Sequence, residues 1–160
     1  MTQQGGLDLR IEITDLDNGA RKAKAGADRI IRRGLQRSAL AVQREQQIGA
    51  PVDEGRLRAD IDVEMDPRPI PTWAKIGPKV FYAKFVELGT GLFGPLHRLI
   101  RPVNAKVLAW SANGQQFFRR SVRGSRPQPF IAPSLPAAMG QIRRIWVEVG
   151  RDIGKRLSVG

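Results

Sequence analysis

Residues 20–48 read ARKAKAGADRIIRRGLQRSALAVQREQQI, a run without proline in which apolar residues recur at helical spacing. Projected at 100° per residue, Lys22, Arg29, Arg33, Arg37 and Arg44 share a stripe about 80° wide. Ala23, Ala27, Ile30, Ile31, Leu35, Ser38, Val42 and Ile48 fall on the other side. The pattern predicts one long amphipathic helix with a basic face and an alanine-rich face suited to close packing. Gly26 and Gly34 each cost about 1 kcal/mol relative to alanine in a helix interior. They mark either tight contacts or plain tolerance. Gly49 and Pro51 end the helix.

Upstream, Leu7, Leu9, Ile11 and Ile13 alternate with Asp8, Arg10 and Glu12, the period-two pattern of a half-buried strand over 7–13. Downstream, Ile61, Val63 and Met65 alternate with Asp60, Asp62, Glu64 and Asp66 and predict a second strand. The three prolines of DPRPIP make residues 66–71 a loop, and TWAKIG a third short strand. In VFYAKFVEL, residues 80–88, the spacing of Phe81, Phe85 and Leu88 favours a short helix, closed by Gly89-Thr90-Gly91. Asn113-Gly114 between two apolar runs signals a hairpin over 105–122, followed by a proline-bounded basic loop. Ser134 is a plausible N-cap with Pro136 in the tolerated first turn. Ile142, Ile145, Trp146, Val149, Ile153 and Leu157 then form a helical stripe over 134–157. The order predicts one α+β domain over residues 1–160. A long N-terminal helix and a C-terminal helix pack on a mainly antiparallel sheet, with an extended basic hairpin and loop.

The chain has 160 residues and a formal net charge of +12, with 20 arginines among its 27 basic residues. The charge is uneven. Residues 20–48 carry a net +6, and residues 88–147 hold nine basic residues and no acidic one. Such a run is a solvated basic face, or it contacts nucleic acid or acidic partner subunits. Phe117 and Phe118 beside Arg119, Arg120, Arg123 and Arg126 mix aromatic and basic groups as nucleic-acid surfaces do. Alternation equally places one Phe in a core.

Chemistry is harder to find. There is no cysteine, which excludes disulfides, thiol catalysis and cysteine-held metals. His97 is the only histidine and has no local carboxylate. The carboxylates at 60, 62, 64 and 66 read as the wet face of a strand; a metal site needs their oxygens to converge. GTGLFG does not match a phosphate-binding fingerprint. Catalytic residues, cofactor sites and metal sites are all expected to be none, and no enzyme is expected. No apolar stretch is long enough for a transmembrane helix, and the N-terminal MTQQGGLDLR lacks the form of a secretory signal.

Three strings carry a resemblance: Ala50-Pro51-Val52-Asp53-Glu54-Gly55-Arg56-Leu57-Arg58, then Tyr82-Ala83-Lys84-Phe85-Val86-Glu87-Leu88-Gly89-Thr90, then Pro127-Gln128-Pro129-Phe130-Ile131-Ala132-Pro133-Ser134-Leu135. In this order and spacing they resemble the neck or tail-completion proteins of long-tailed bacteriophages, over about residues 20–150. The family usually has Thr before the glycine of the first string, where this chain has Glu54. The resemblance marks Pro51, Val52, Asp53, Gly55, Leu57, Tyr82, Glu87, Gly89, Thr90, Pro129, Phe130 and Pro133 as motif residues of a structural kind. It implies a virion protein made in the host bacterial cytoplasm. Its place would be a homo-oligomeric ring at the head–tail junction, a hexamer in preference to a dodecamer. Neighbouring connector and tail-tube proteins and non-specific contact with DNA in the channel follow, with Arg119, Arg120, Arg123 and Arg126 as candidate contacts. No membrane is implied. The basic surface by itself supports an alternative, a stand-alone nucleic-acid-binding module.

Overall fold

The computed structural model describes residues 8–12, 26–52 and 55–158, which group into two compact units. The first comprises residues 1–80 and 130–160, the second residues 81–129. Asp53, Glu54, Leu7, Ile13, Lys22 and Ala23 of the sequence reading lie outside the described residues.

In the first unit, β1 (Leu9–Glu12) precedes α1 (Ala27–Gly49), α2 (Arg56–Ala59), β2 (Ile61–Met65) and β3 (Trp73–Pro78). The strands form an antiparallel sheet in the order β1-β3-β2. Leu9 pairs with Ile76, and Val63 pairs with the same Ile76 from the other side. The centre of the sheet is therefore apolar: Ile76 and Ala74 are fully buried. Beneath them lies α1, whose Ile31, Leu35, Ala39 and Val42 are fully enclosed. Arg29, Arg33, Arg37 and Arg44 lie on the solvent side, as the helical projection requires. Ile48 departs from it. It lies in the last turn and is 62% exposed.

α4 (Ser134–Ser158) packs chiefly on α1, which lies between it and the sheet. Ile145 and Val149 are buried on this contact, with Ile142, Trp146 and Ile153 half-buried along the same stripe. Gly34 explains how closely the helices approach: a Cβ there would sit 2.6 Å from Val149 Cγ2. Gly26 is different. Its φ of +105° places it at the N-cap of α1, before the helix, so it carries no helix-interior penalty. Ser134 also differs from expectation. Its hydroxyl donates back to Ile131 O at 2.6 Å and lies within the first helical turn. It braces the turn that delivers Phe130, a fully buried ring, into this unit. Gly49 is part of that seat, since a Cβ on it would stand 3.3 Å from the Phe130 Cβ.

The second unit holds α3 (Ala83–Leu88) and the antiparallel ribbon of β4 (Leu108–Ala112) and β5 (Gln115–Arg119). Asn113 and Gly114 both have positive φ, 51° and 74°, the left-handed turn that the strands' own twist favours and that Asn-Gly supplies. Trp110 and Phe117 face each other across the ribbon, their rings stacked at 5.5 Å.

Candidate functional site

The motif residues fall into two groups. In the first unit they are structural supports. Leu57 is buried, Gly55 opens α2 at φ +78°, and Phe130 is in the core. Pro51 is half-buried, while Val52 and Pro133 are exposed, as is Pro129, the last residue of the second unit. Pro133 O accepts the Ala137 N–H at 3.2 Å and so contributes to the start of α4.

In the second unit, Tyr82 and Glu87 belong to α3, and Gly89 and Thr90 to a loop crossing that composition did not disclose. Tyr82 O accepts from Phe85 N at 2.9 Å and Val86 N at 3.3 Å, which starts α3. The chain then runs through GTGLFG, and residues 122–126 cross it backbone against backbone. Thr90 N donates to Ser125 O at 2.9 Å and Leu92 N to Arg123 O at 2.8 Å. Ser125 N donates to Thr90 Oγ1 at 2.9 Å. Gln128 N donates to Val86 O at 2.8 Å, and Ile100 and Val122 exchange a pair at 3.0 Å. The approach is so close that a Cβ on Gly91 would overlap Arg123 O, and one on Gly124 would overlap Thr90 O. The glycines of GTGLFG thus serve a crossing of two main chains and not a phosphate. Gly91 and Gly124 were missed in the sequence because their partner strands are some thirty residues apart.

The basic loop after the hairpin is held through the backbone of Arg123, Ser125 and Gln128, with Val122 bonded just ahead of it. Its charged side chains nonetheless point out: Arg119, Arg120, Arg123 and Arg126 are all exposed. Arg119 Nη1 donates to Phe118 O at 2.9 Å, and the Arg126 guanidinium lies 5.6 Å from the Phe93 ring centroid. The structure brings Arg123 and Arg126 to the crossing and leaves Arg119 and Arg120 at the ribbon.

α3 is a helix, as its spacing predicts. Its buried residues are Ala83 and Glu87, while Phe81, Phe85 and Leu88 are exposed. Phe85, Leu96, Leu99, Ile100, Pro102 and Val103 line a groove of about 640 Å³, with Arg98 and Arg101 at its walls. Of the buried apolar residues only Ala83 belongs to this unit, whereas nine of its large apolar side chains are exposed. A unit so poor in core presents contact surface in place of a core. Phe118, at 56% exposure, and Val103, at 93%, are among those nine.

The other chemical candidates resolve into scaffolding. His97 is exposed in a turn at φ +46°, with Nδ1 3.3 Å from Leu92 O. Of the carboxylates on and around β2, Asp66 is buried and faces Arg68 and Thr72. Arg68 Nε donates to both oxygens at 2.9 Å, and Thr72 N to Oδ2 at 2.9 Å. The Arg68 guanidinium, assisted by the Thr72 and Arg68 amides, holds the Asp66 carboxyl well below the usual carboxylate range. From α1, Arg32 Nη2 donates to Pro67 O and Arg68 O and closes this loop onto the helix. Asp62 faces Lys79 at 2.5 Å, which lowers the carboxyl and raises the amine. Among the described residues no cluster of three or more His, Asp or Glu side chains could hold a metal ion, and no helix is long and apolar enough to cross a membrane.

No curated protein and no solved structure matches the chain. Residues 14–89 match the family model described as "Bacteriophage HK97-gp10, putative tail-component". The matched span includes the first motif string and the second as far as Gly89; the hairpin and the Pro-Gln-Pro-Phe string lie beyond it. Over residues 14–89 the chain is therefore similar to the HK97-gp10-like family of bacteriophage tail components.

Proposed function

We propose that this chain is a tail component, a structural ring subunit at the phage head–tail junction that joins tail to head around the DNA channel. The observation that carries the reading is the surface of residues 81–129. Eight basic side chains are exposed there, the one acid, Glu87, is buried, and the apolar side chains face outward. A subunit that meets protein neighbours and lets a polyanion pass needs this combination: apolar area for assembly and positive charge without base-specific geometry. Candidate DNA-facing residues are Arg119, Arg120, Arg123 and Arg126 and the α1 stripe of Arg29, Arg33, Arg37 and Arg44. Arg37 is already committed, donating to Glu148 at 2.7 Å. Assembly by a heterologous, closing contact gives a ring, with six copies favoured over twelve. The role is structural, with no catalytic step.

The test is removal of the gene from the phage that carries it. Filled heads and free, unjoined tails are expected. Joined, infectious particles lacking the protein would end this reading. The exposed Phe118 beside Arg119 and Arg120 favours a second reading, a stand-alone nucleic-acid module. That reading requires the isolated chain to bind duplex DNA with a steep salt dependence.

A further inference from the structure

Among residues 81–129 the only acid is Glu87, and it is buried. The groove of about 640 Å³ in this unit is therefore flanked by charge of one sign. Arg98 and Arg101 stand at its walls, both exposed, and neither guanidinium has a hydrogen bond or ion pair among the described residues. The rest of the lining is largely apolar, with Leu96 70% and Val103 93% exposed. Cavities of about 300–1,000 Å³ are large enough to enclose a bound group. Exposed apolar side chains beside unpaired arginines fit an occupant that is apolar on one side and anionic at its rim. Backbone pairing is not on offer at Ile100, whose N–H and C=O are both bonded to Val122 at 3.0 Å. A helix satisfies its own backbone and docks through side chains, so it suits such a groove. The long helices of this chain have the wrong charge for it. On α1, Leu40 and Ile48 are exposed, but each stands one turn from Arg44. On α4, exposed Val147 stands one turn from Arg143, Arg144 and Arg151. Either helix of a second copy would bring arginine to arginine.

We infer that this groove docks an amphipathic helix of a different protein, apolar on the side that enters it and acidic along its flanks. Phe85, Leu96 and Val103 receive the apolar anchors, and Arg98 and Arg101 select a partner that carries carboxylates. Such a helix docks whether or not copies of this chain close into a ring.

The probe is a dye-labelled synthetic helix of about 18 residues, or five turns, with leucine on one side and glutamate on the other. One counterpart carries lysine in place of glutamate, and another carries alanine in place of leucine. Fluorescence anisotropy with the full-length chain should show saturable binding of the leucine–glutamate helix, at least about tenfold tighter than of either counterpart. Arg98→Glu/Arg101→Glu should lose about tenfold for that helix and gain the leucine–lysine helix, a reversal that a misfolded chain cannot produce. Val103→Glu should weaken binding while thermal unfolding stays unchanged. Arg143→Glu/Arg144→Glu, the same change of charge at exposed positions of α4, should bind the leucine–glutamate helix as the wild type does. Absence of binding, equal binding of the three helices, an unchanged preference in the Arg98→Glu/Arg101→Glu chain, or an equal loss in the α4 control overturns the inference. So does duplex DNA that displaces the bound helix, or a dimer in sedimentation that Val103→Glu dissolves, since nucleic acid or a second copy then fills the groove.

Discussion

Gly91 and Gly124 carry the tightest demand in the second unit, because each places its Cα hydrogen where another residue's methyl would meet a carbonyl oxygen. Gly91→Ala and Gly124→Ala must both open the crossing and place alanine at φ 63° or 86°. Each is expected to cost more than about 1 kcal/mol, and amide exchange at Thr90, Leu92 and Ser125 should rise while the amides of α1 stay protected. Asp66 makes a different demand. Its carboxyl is lowered when folded, so the stability it supplies is full above the unfolded value of about 3.9 and is lost as pH falls through the folded value. Wild-type stability should therefore decline below about pH 4. Asp66→Asn should be less stable at neutral pH and show a flatter acid limb, read by denaturant titration across pH. The sequence marked Asp66 only as one of four alternating acids. Its partners, Arg68 and Thr72, became visible as partners once the proline loop folded back on itself.

At the scale of elements, periodicity served well wherever an element buries one side within its own unit. The alternation of Leu9 and Ile11, the β2 pattern, Asn113-Gly114 and the α4 stripe all correspond to strands, turn and helix at nearly the expected bounds. The same arithmetic gave the right helix for α3, whose Phe85 and Leu88 are nonetheless exposed. Spacing reports that a face is apolar and is silent about what covers it. The loop crossing was illegible for a related reason: main chain packs on main chain, and side-chain patterns do not record it. Where helix meets helix the record is plain. Gly34→Val should overpack the α1–α4 contact against Val149 and cost about 1–3 kcal/mol. Phe130→Ala should empty a fully buried ring site and cost about 3–5 kcal/mol. Both are measurable as shifts in the denaturation midpoint.

For the whole molecule, the basic excess is divided between α1 and the second unit, and in both it sits on solvent-facing positions. Replacing Arg119, Arg120, Arg123 and Arg126 with Ser should therefore leave thermal unfolding of the isolated chain nearly unchanged, while particles made with it join tails poorly or lose DNA. A collapse of the fold would instead make these arginines internal ion-pair partners. Each arginine that touches phosphate should also contribute about one unit to the salt slope of any DNA binding. The crossing at residues 89–92 and 122–126 has a mechanical meaning as well. The ribbon departs from one side of that clasp and returns through it, so tension on the ribbon reaches α3 as shear across several peptide hydrogen bonds at once. Bonds loaded together in this way yield together. The clasp thus anchors the root of the arm, spreading any load on the ribbon over all of its bonds.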